Sequence, residues 1–288
     1  MTVQEPLKSV LPKFMKSLED KGRSPSTILA YRADLEQLVE FFVKRNKVLA
    51  EQILQADIEA FRDNLANDKY TPKSVSRKLN AIKTFFRWLV TDNYLTSNPS
   101  ENVSHPKIDM AMPKFLSSLE YRALRDVVRG DVRISAIVEL FLQTGLRISE
   151  VANLKTAYVT EIDITVEAYA TQPQRKIPLN QPAKEALNHY LVERPKTDAL
   201  YVFVSKNGKP LAVRNIRAAI DRYMQRADIS QYSVNDLRTT FVVENIKNGV
   251  DLILISQVSG HKRLSTTERY LELAGIKEPG KKQQLMEL

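Results

Sequence analysis

Cysteine is absent from the 288-residue chain, and histidine occurs only as His105, His189 and His261. Without thiols the chain can build neither a disulfide framework nor a thiolate metal site, which fits a reducing cytoplasm. Three histidines spread far apart along the sequence also argue against a histidine-built metal centre. We therefore expect a cytoplasmic protein that holds no metal.

Long apolar segments are also missing. No run approaches the roughly 18 apolar residues that cross a bilayer, and the polar N-terminus lacks the apolar core of a signal peptide. Hydrophobic residues make up 43% of the chain and charged residues 27%, which is the balance of a globular protein. The length allows two domains, each with its own core, and we expect no membrane partner.

Acidic residues are outnumbered in both halves of the chain. Lysine and arginine exceed aspartate and glutamate by 17 to 14 through Met110 and by 26 to 20 beyond it, which gives a net charge of +9. Such an excess favours a polyanionic partner. Because the excess is not confined to one tail, both halves are expected to contact the partner if it is a nucleic acid.

One predicted helix of the N-terminal half carries bases and no acid. Apolar residues recur on one face from 73 to 90, and six bases lie between 69 and 91. A solvated helix face is the simpler interpretation, but such faces usually mix signs because like charges at this spacing destabilise a helix. Phosphate neutralisation would offset that repulsion. The DNA-binding candidates are Lys73, Arg77, Lys83 and Arg87.

Prolines interrupt the helical pattern near the middle of the chain. The stretch NPSENVSHPKIDMAMP, residues 98–113, holds three prolines and no sustained period, which indicates an extended linker between domains. We therefore predict a helical domain over 1–98, a linker over 99–113 and a second domain over 114–288 that ends in a polar tail. The first predicted helix begins after Pro25, with Ser26 or Thr27 as its cap.

The second domain mixes helices with a small sheet. Alternating apolar residues predict two paired strands at 162–168 and 175–179. Helices are predicted at 135–142, 213–226, 234–247 and 251–258, and Ser149 is expected to cap another. The fold class is therefore mainly α with a small antiparallel sheet, in two domains: an N-terminal helical bundle and a C-terminal mixed α/β domain.

Groups suited to phosphate chemistry cluster at residues 259–271, SGHKRLSTTERYL. Cations beside Tyr270 would lower the pKa of its phenol and stabilise charge on an attacked phosphate, with His261 nine residues earlier. A half-buried packing tyrosine is the alternative. Arg147 lies two residues after Gly145, at a predicted corner between two helices, where it could bind an anion close to the main chain. A structural salt bridge is the alternative role for this arginine.

Three motifs, TGLRISEVANL, NDLRTTF and GHKRLSTTERY, resemble in order and separation those of the tyrosine site-specific recombinases, the class of phage integrases and Xer-type recombinases. The resemblance covers nearly the whole chain. It implies that a core-binding domain and a catalytic domain clamp double-stranded DNA at a specific recombination site. It also implies a reaction without cofactor, because a 3′-phosphotyrosine intermediate stores the phosphodiester energy.

The resemblance also implies roles for individual residues. Arg147 and Arg238 match the arginines that bind the scissile phosphate, His261 matches a hydrogen-bond donor, and Tyr270 matches the nucleophile. Guanidinium forks can neutralise the charge that develops on non-bridging oxygens without a metal.

Two positions depart from the family pattern. Asn235 stands where a histidine is usual, and asparagine can hydrogen-bond a phosphate oxygen but cannot shuttle a proton. Ala170 falls where the lysine general acid belongs. Lys176 is the candidate replacement, and Arg175 is a poorer one because of its high pKa. A shifted hairpin alignment is the other explanation.

Three functions are compared on this basis. The first is a recombinase that acts as a homo-tetramer on DNA, or with a related recombinase. The second, motivated by Ala170 and Asn235, is a DNA-binding accessory protein with weakened cleavage. The third is a type IB topoisomerase-like enzyme, which the compact two-domain layout disfavours. The retained tyrosine and arginines favour the first. Family members commonly insert a C-terminal segment into a neighbour, and the tail after Glu272 is the candidate segment.

Overall fold

The computed structural model describes residues 5–109, 112–169 and 172–288. The chain separates into two compact units, 1–110 and 111–288. Each unit buries its own cluster of apolar side chains. None of the helices in these described ranges is both long and apolar enough to span a bilayer.

Within its described residues, the N-terminal unit consists of four α-helices: α1 (Leu7–Asp20), α2 (Pro25–Val43), α3 (Gln55–Asn67) and α4 (Pro72–Thr91). Helix α1 lies outside the sequence-based predictions, although its apolar stripe is buried from Leu7 to Leu18. Ser24 rather than Ser26 or Thr27 caps α2, because its hydroxyl accepts a hydrogen bond from the Thr27 amide at 3.2 Å. Proline suits the first helical position, where its missing N–H costs nothing.

Eight α-helices and one two-stranded antiparallel sheet occupy the described part of the second unit. The helices are α5 (Ser118–Val128), α6 (Val132–Thr144), α7 (Ile148–Ala152), α8 (Gln181–Glu193), α9 (Val213–Arg226), α10 (Val234–Lys247), α11 (Leu252–Ser259) and α12 (Leu264–Ala274). Strands β1 (Asp163–Val166) and β2 (Arg175–Pro178) pair with Ile164 opposite Ile177. Both isoleucines are buried, so the hairpin is fixed to the core by one face.

Helix α6 is the centre of this unit and packs against α8 and α10. It ends at Gly145, whose left-handed φ of +61° turns the chain toward α7. A Cβ at Gly145 would lie 2.4 Å from the Phe241 ring of α10, so only glycine allows this close approach. Ser149 does not cap α7. Arg147 is the N-cap residue, and the Glu150 carboxylate accepts its backbone N–H at 2.8 Å.

The C-terminal tail lies along its own chain. The Lys282 amide donates to the Gly249 carbonyl at 3.0 Å, and the Asp251 amide donates to the Lys282 carbonyl at 2.8 Å. Farther on, the Met286 amide donates to Asn245 Oδ1 at 2.8 Å. The tail therefore binds the loop and helix that precede α11.

Candidate active site

Five segments of the second unit bring charged and polar side chains together. Arg147 begins α7, Arg175 begins β2, Arg238 lies in the second turn of α10, His261 follows α11, and Tyr270 lies in α12. The arginines, the histidine and the tyrosine are close enough to perturb one another electrostatically. The structure thus gathers Arg147, Arg238, His261 and Tyr270 from positions up to 123 residues apart in the printed sequence.

Arg147 is held from two sides. Its Nη1 donates to Glu150 Oε1 at 2.8 Å, and its Nη2 donates to the Gly260 carbonyl at 2.6 Å. These contacts use one N–H of each terminal nitrogen, and a guanidinium has five donors. The remaining N–H groups are donors of fixed direction, which is the arrangement required to receive an anion.

Glu150 is shared between two arginines. Arg175 donates through Nη1 and Nη2 to the two carboxylate oxygens, at 3.0 and 2.8 Å, and through Nε to the Val258 carbonyl at 2.8 Å. Burial acts to raise the pKa of Glu150, but the hydrogen bonds and charges of Arg175 and Arg147 outweigh it and lower the pKa. The carboxylate is therefore ionised at neutral pH and joins α7 to β2.

Arg238 is partly buried. Its Nη1 donates to the Gly145 carbonyl, and its Nη2 donates to the Ser259 carbonyl at 2.6 Å. Burial and the repulsion of Arg147 and Arg175 lower the pKa of Arg238 to about 10, whereas Glu150 and Tyr270 act in the opposite direction. The guanidinium therefore stays charged at pH 7, in surroundings where an anion would relieve the repulsion.

Gly260 is the point where the backbone approaches both Arg147 and Arg175. It has φ +65°, and a Cβ there would lie 2.9 Å from Arg175 Cζ and 3.1 Å from Arg147 Nη1. Any side chain would both strain this left-handed conformation and push the arginines away. The glycine before His261 is thus required by the arginine cluster.

The rings of His261 and Tyr270 are nearly parallel, with centroids 6.1 Å apart and planes inclined by 9°. A hydrogen bond of 2.8 Å joins His261 Nδ1 to the Thr267 hydroxyl. Burial, followed by the charges of Arg238, Arg147 and Arg175, lowers the pKa of His261 to about 4. The imidazole is therefore neutral at pH 7 and carries a single N–H.

The other candidates of the second unit lie at the margin of this cluster. Asn235 is exposed, three residues before Arg238 on α10, and therefore on a neighbouring part of the same helical face. Lys176 is also exposed, and its Nζ forms a salt bridge with Asp163 Oδ2 at 3.3 Å. A cavity of about 740 Å³ is lined by Lys176 together with His261 and their neighbours. Ala170 lies outside the described residues.

The DNA-binding candidates of the first unit lie on α4. Lys73 and Arg87 are exposed. Arg77 forms two hydrogen bonds with Asp34, a buried acid of α2, and Lys83 donates to the Glu101 carbonyl at 3.1 Å. Positions 73, 77 and 87 repeat at intervals of four and ten residues, so these three side chains share one face of the helix. Lys83 lies beside that face.

Three residues of the site escaped sequence reasoning, at least in their roles. Glu150 follows Arg147 by three residues on one helical face, a spacing from which the ion pair could have been predicted. The sequence indicates Arg175 only as a poor proton donor, whereas in the structure all three of its guanidinium nitrogens bind Glu150 and the Val258 carbonyl. No sequence feature indicates the role of Thr267, because threonine inside a helix is neutral to slightly unfavourable and does not by itself point to a hydrogen-bond partner.

Comparisons with known proteins cover both units. Residues 114–275 match the phage integrase family, and residues 11–93 match the phage integrase N-terminal SAM-like domain. The tyrosine recombinase XerC of Myxococcus xanthus is 31% identical over 283 residues, which cover 93% of this chain and 94% of that protein.

Solved structures agree in fold. The crystal structure of XerA recombinase is 29% identical with a TM-score of 0.53, and the match covers 92% of this chain and 93% of that one. A lambda integrase tetramer bound to a Holliday junction has a TM-score of 0.73 at 18% identity, covering 91% of this chain and 78% of that one. At that identity the second match concerns the fold alone.

Proposed function

This chain belongs to the phage integrase family, and we propose that it recombines DNA by attack of Tyr270 on a phosphate bound by Arg147 and Arg238. It is a tyrosine site-specific recombinase of the Xer-like kind. The observation that carries the assignment of roles is the clustering of two guanidinium groups, a neutral imidazole and a phenol in the second unit.

This cluster of side chains suits phosphoryl transfer because its cations, Arg147 and Arg238, are held in place before the substrate binds. Attack of the phenol oxygen on phosphorus, with the phenol proton released to solvent, forms the 3′-phosphotyrosine bond and breaks the bond to the 5′-oxygen of the next nucleotide. Negative charge grows on the non-bridging oxygens, and the free N–H groups of Arg147 and Arg238 would neutralise it. Backbone carbonyls and Glu150 hold both arginines, so little reorganisation is required at the moment of reaction.

The leaving 5′-oxygen must gain a proton, and we assign Lys176 to this step. Its ammonium lies at the rim of the cavity that His261 also lines, on a flexible stem. Arg175 is less suited because both of its terminal nitrogens bind Glu150 and its pKa is intrinsically high. Asn235 is proposed to donate its amide to a phosphate oxygen without transferring a proton.

Each unit offers a basic surface to the DNA. On α4 the surface consists of Lys73, Arg77, Lys83 and Arg87, and on α9 several exposed arginines follow the helix. They are Arg214, Arg217, Arg222 and Arg226. Contacts of this kind neutralise phosphates and position the protein on the duplex.

Assembly on DNA follows by analogy with the lambda integrase tetramer on a Holliday junction. We propose a homo-tetramer, or an assembly with a related recombinase, on double-stranded DNA that contains a specific site. The tail after Glu272 is the candidate linking segment, with the contacts to Gly249 and Asn245 exchanged for the same groups of a neighbour. The proposed compartment is the cytoplasm, where such DNA is available.

One assay series tests the function and separates it from the alternatives. The binding duplex is first selected from a random pool and then prepared with a nick, so that the short downstream fragment with the free 5′-hydroxyl escapes after cleavage. We expect a covalent adduct that Tyr270→Phe abolishes, and recombinant products when two sites are supplied. Binding without an adduct would indicate an accessory protein. An adduct with plasmid relaxation but no recombinants would indicate a topoisomerase.

A further inference from the structure

Thr267 lies three residues before Tyr270 on α12 and is completely buried. Its hydroxyl forms a hydrogen bond of 2.8 Å with His261 Nδ1. The helix packs against α10 and α11, which bring Arg238 and the chain that leads to His261. A buried threonine therefore connects the helix of the proposed nucleophile to the imidazole beside it.

The surroundings of Thr267 determine whether its hydroxyl or His261 Nδ1 is the donor in this hydrogen bond. Thr239 and Thr240 of α10 donate their hydroxyl protons to carbonyls four residues earlier. For the Thr267 hydroxyl, by contrast, His261 Nδ1 is the only hydrogen-bond partner among the residues that the structure describes. If Nδ1 carried the imidazole proton, the hydroxyl proton would be buried without an acceptor, which is costly. The hydroxyl therefore donates and Nδ1 accepts.

We propose that Thr267 is a positioning residue that keeps the single proton of His261 on Nε2, so that the imidazole donates a hydrogen bond to a phosphate oxygen. This inference rests on the proposed function, since it specifies how His261 serves the reaction. A neutral imidazole offers one N–H, and three nearby arginines oppose a second proton. In such surroundings the choice of tautomer decides whether His261 donates to the substrate or accepts from it.

The position of Thr267 also means that one helix serves both the nucleophile and the orientation of the imidazole. Because Thr267 and Tyr270 lie three residues apart on one helix, a single docking of α12 supplies the phenol and orients the donor. Val at position 267 would keep the branched shape and lose the hydroxyl, whereas Ser would keep the hydroxyl and lose a methyl group. This pair of variants separates hydrogen bonding from packing.

The direct test is nitrogen NMR of the full-length protein labelled with ¹⁵N-histidine, with His261→Gln used to assign the signals. We expect the wild type to show an unprotonated Nδ1 and a protonated Nε2 at pH 7. Thr267→Ser should keep this pattern, and Thr267→Val should shift it toward the other tautomer. This measurement requires no DNA.

The kinetic test uses single-turnover cleavage of the selected nicked duplex. Loss of one fixed donor should slow cleavage by about 10²–10³-fold in Thr267→Val, with duplex binding unchanged and most of the rate retained in Thr267→Ser. Combining Thr267→Val with His261→Ala should slow the reaction little more than His261→Ala alone, because the Nε2 donor is already absent from the His261→Ala variant.

Several results would overturn the inference. A protonated Nδ1 in the wild type is one, and an unaltered tautomer in Thr267→Val is another. Equal loss of rate in the Ser and Val variants would reduce Thr267 to a packing residue. A wild type that has the expected tautomer and binds the duplex but forms no adduct would instead refute the proposed function, and with it any use of the Nε2 proton in cleavage. The two failures are thus distinguishable.

Discussion

Glu150 and Arg175 meet through two parallel hydrogen bonds of 3.0 and 2.8 Å, although 25 residues separate them in the chain. The same carboxylate accepts from Arg147 at 2.8 Å. The direction of the Arg147 guanidinium therefore depends on Arg175, a residue of the hairpin, through their shared carboxylate. We therefore expect the proposed site to be especially sensitive to substitution of Glu150.

Substitution of Glu150 by Gln should destabilise the fold and slow cleavage. Arg147 and Arg175 would lose their common counter-charge in a largely buried place, and breaking a buried ion pair typically costs about 3–5 kcal/mol. The free energy of unfolding can be measured by denaturant titration. Glu244→Gln is the matched control, since its partner Lys247 is partly exposed and such pairs contribute about 1 kcal/mol or less. Equal losses in the two variants would contradict the account.

Lys176→Ala tests the proton donor. If Lys176 protonates the leaving 5′-oxygen, its loss should slow cleavage by about 10²–10⁴-fold while duplex binding is retained. A substrate with sulfur in place of that oxygen should restore the rate, because a thiolate leaves without protonation. Lys155→Ala is the control, as that lysine pairs with Glu167 on an exposed surface. An unchanged rate with the ordinary duplex would remove Lys176 from the role.

Neutralising Lys73 and Arg87 together should reduce the salt dependence of duplex binding. Each lost phosphate contact lowers the slope of log affinity against log salt by about 0.9. Lys44→Ala serves as the comparison, because Glu40 already pairs with that lysine at 2.8 Å. If the double variant keeps the wild-type slope of log affinity against log salt, the face of α4 that carries Lys73 and Arg87 does not contact the DNA.

The titration of His261 gives a prediction for pH. Its pKa is lowered to about 4 by burial and by the three arginines, against an ordinary value of about 6.5 in the unfolded chain. Between these two pH values the unfolded state binds the proton better, so stability should fall as the pH decreases from 6.5 to 4. His261→Gln should lose this part of the pH dependence. An NMR midpoint near 6.5 for the His261 ring would contradict the buried, cation-flanked environment.

Much of the secondary structure follows from periodicity in the sequence. Helices α9 and α10 begin and end where the sequence predicts, and polar caps, Ser233 and Asn248, border α10. Helix α1 carries Pro12 in its second turn, which weakens the usual helical signal. Helix α8 does have a start signal in its cap Asn180 and in Pro182, but only three of its residues, Ala183, Leu187 and Tyr190, are buried, so its apolar pattern is short. These two helices are stabilised by tertiary packing that a single sequence does not reveal.

The candidate site was predictable in part, for a similar reason. Motifs give the residues that face the substrate, but the residues that hold them are determined by contacts across the fold. Alternation along β2 directs Arg175 and Ile177 inward and Lys176 outward, and the ion pair of Arg175 with Glu150 becomes evident only when β2 is placed beside α11. The hydrogen bond between Thr267 and His261 likewise depends on how α12 docks.

The central claim is that the Tyr270 oxygen becomes bonded to the 3′-phosphate of the cleaved strand. Mass spectrometry of the trypsin-digested adduct tests it most directly, because cleavage after Arg269 and Lys277 isolates residues 270–277 with Tyr270 as the only tyrosine. We predict that this peptide carries the nucleotide remnant in the wild type and that Tyr270→Phe yields no adduct. A nucleotide remnant on any other peptide, or an adduct that survives Tyr270→Phe, would contradict the account.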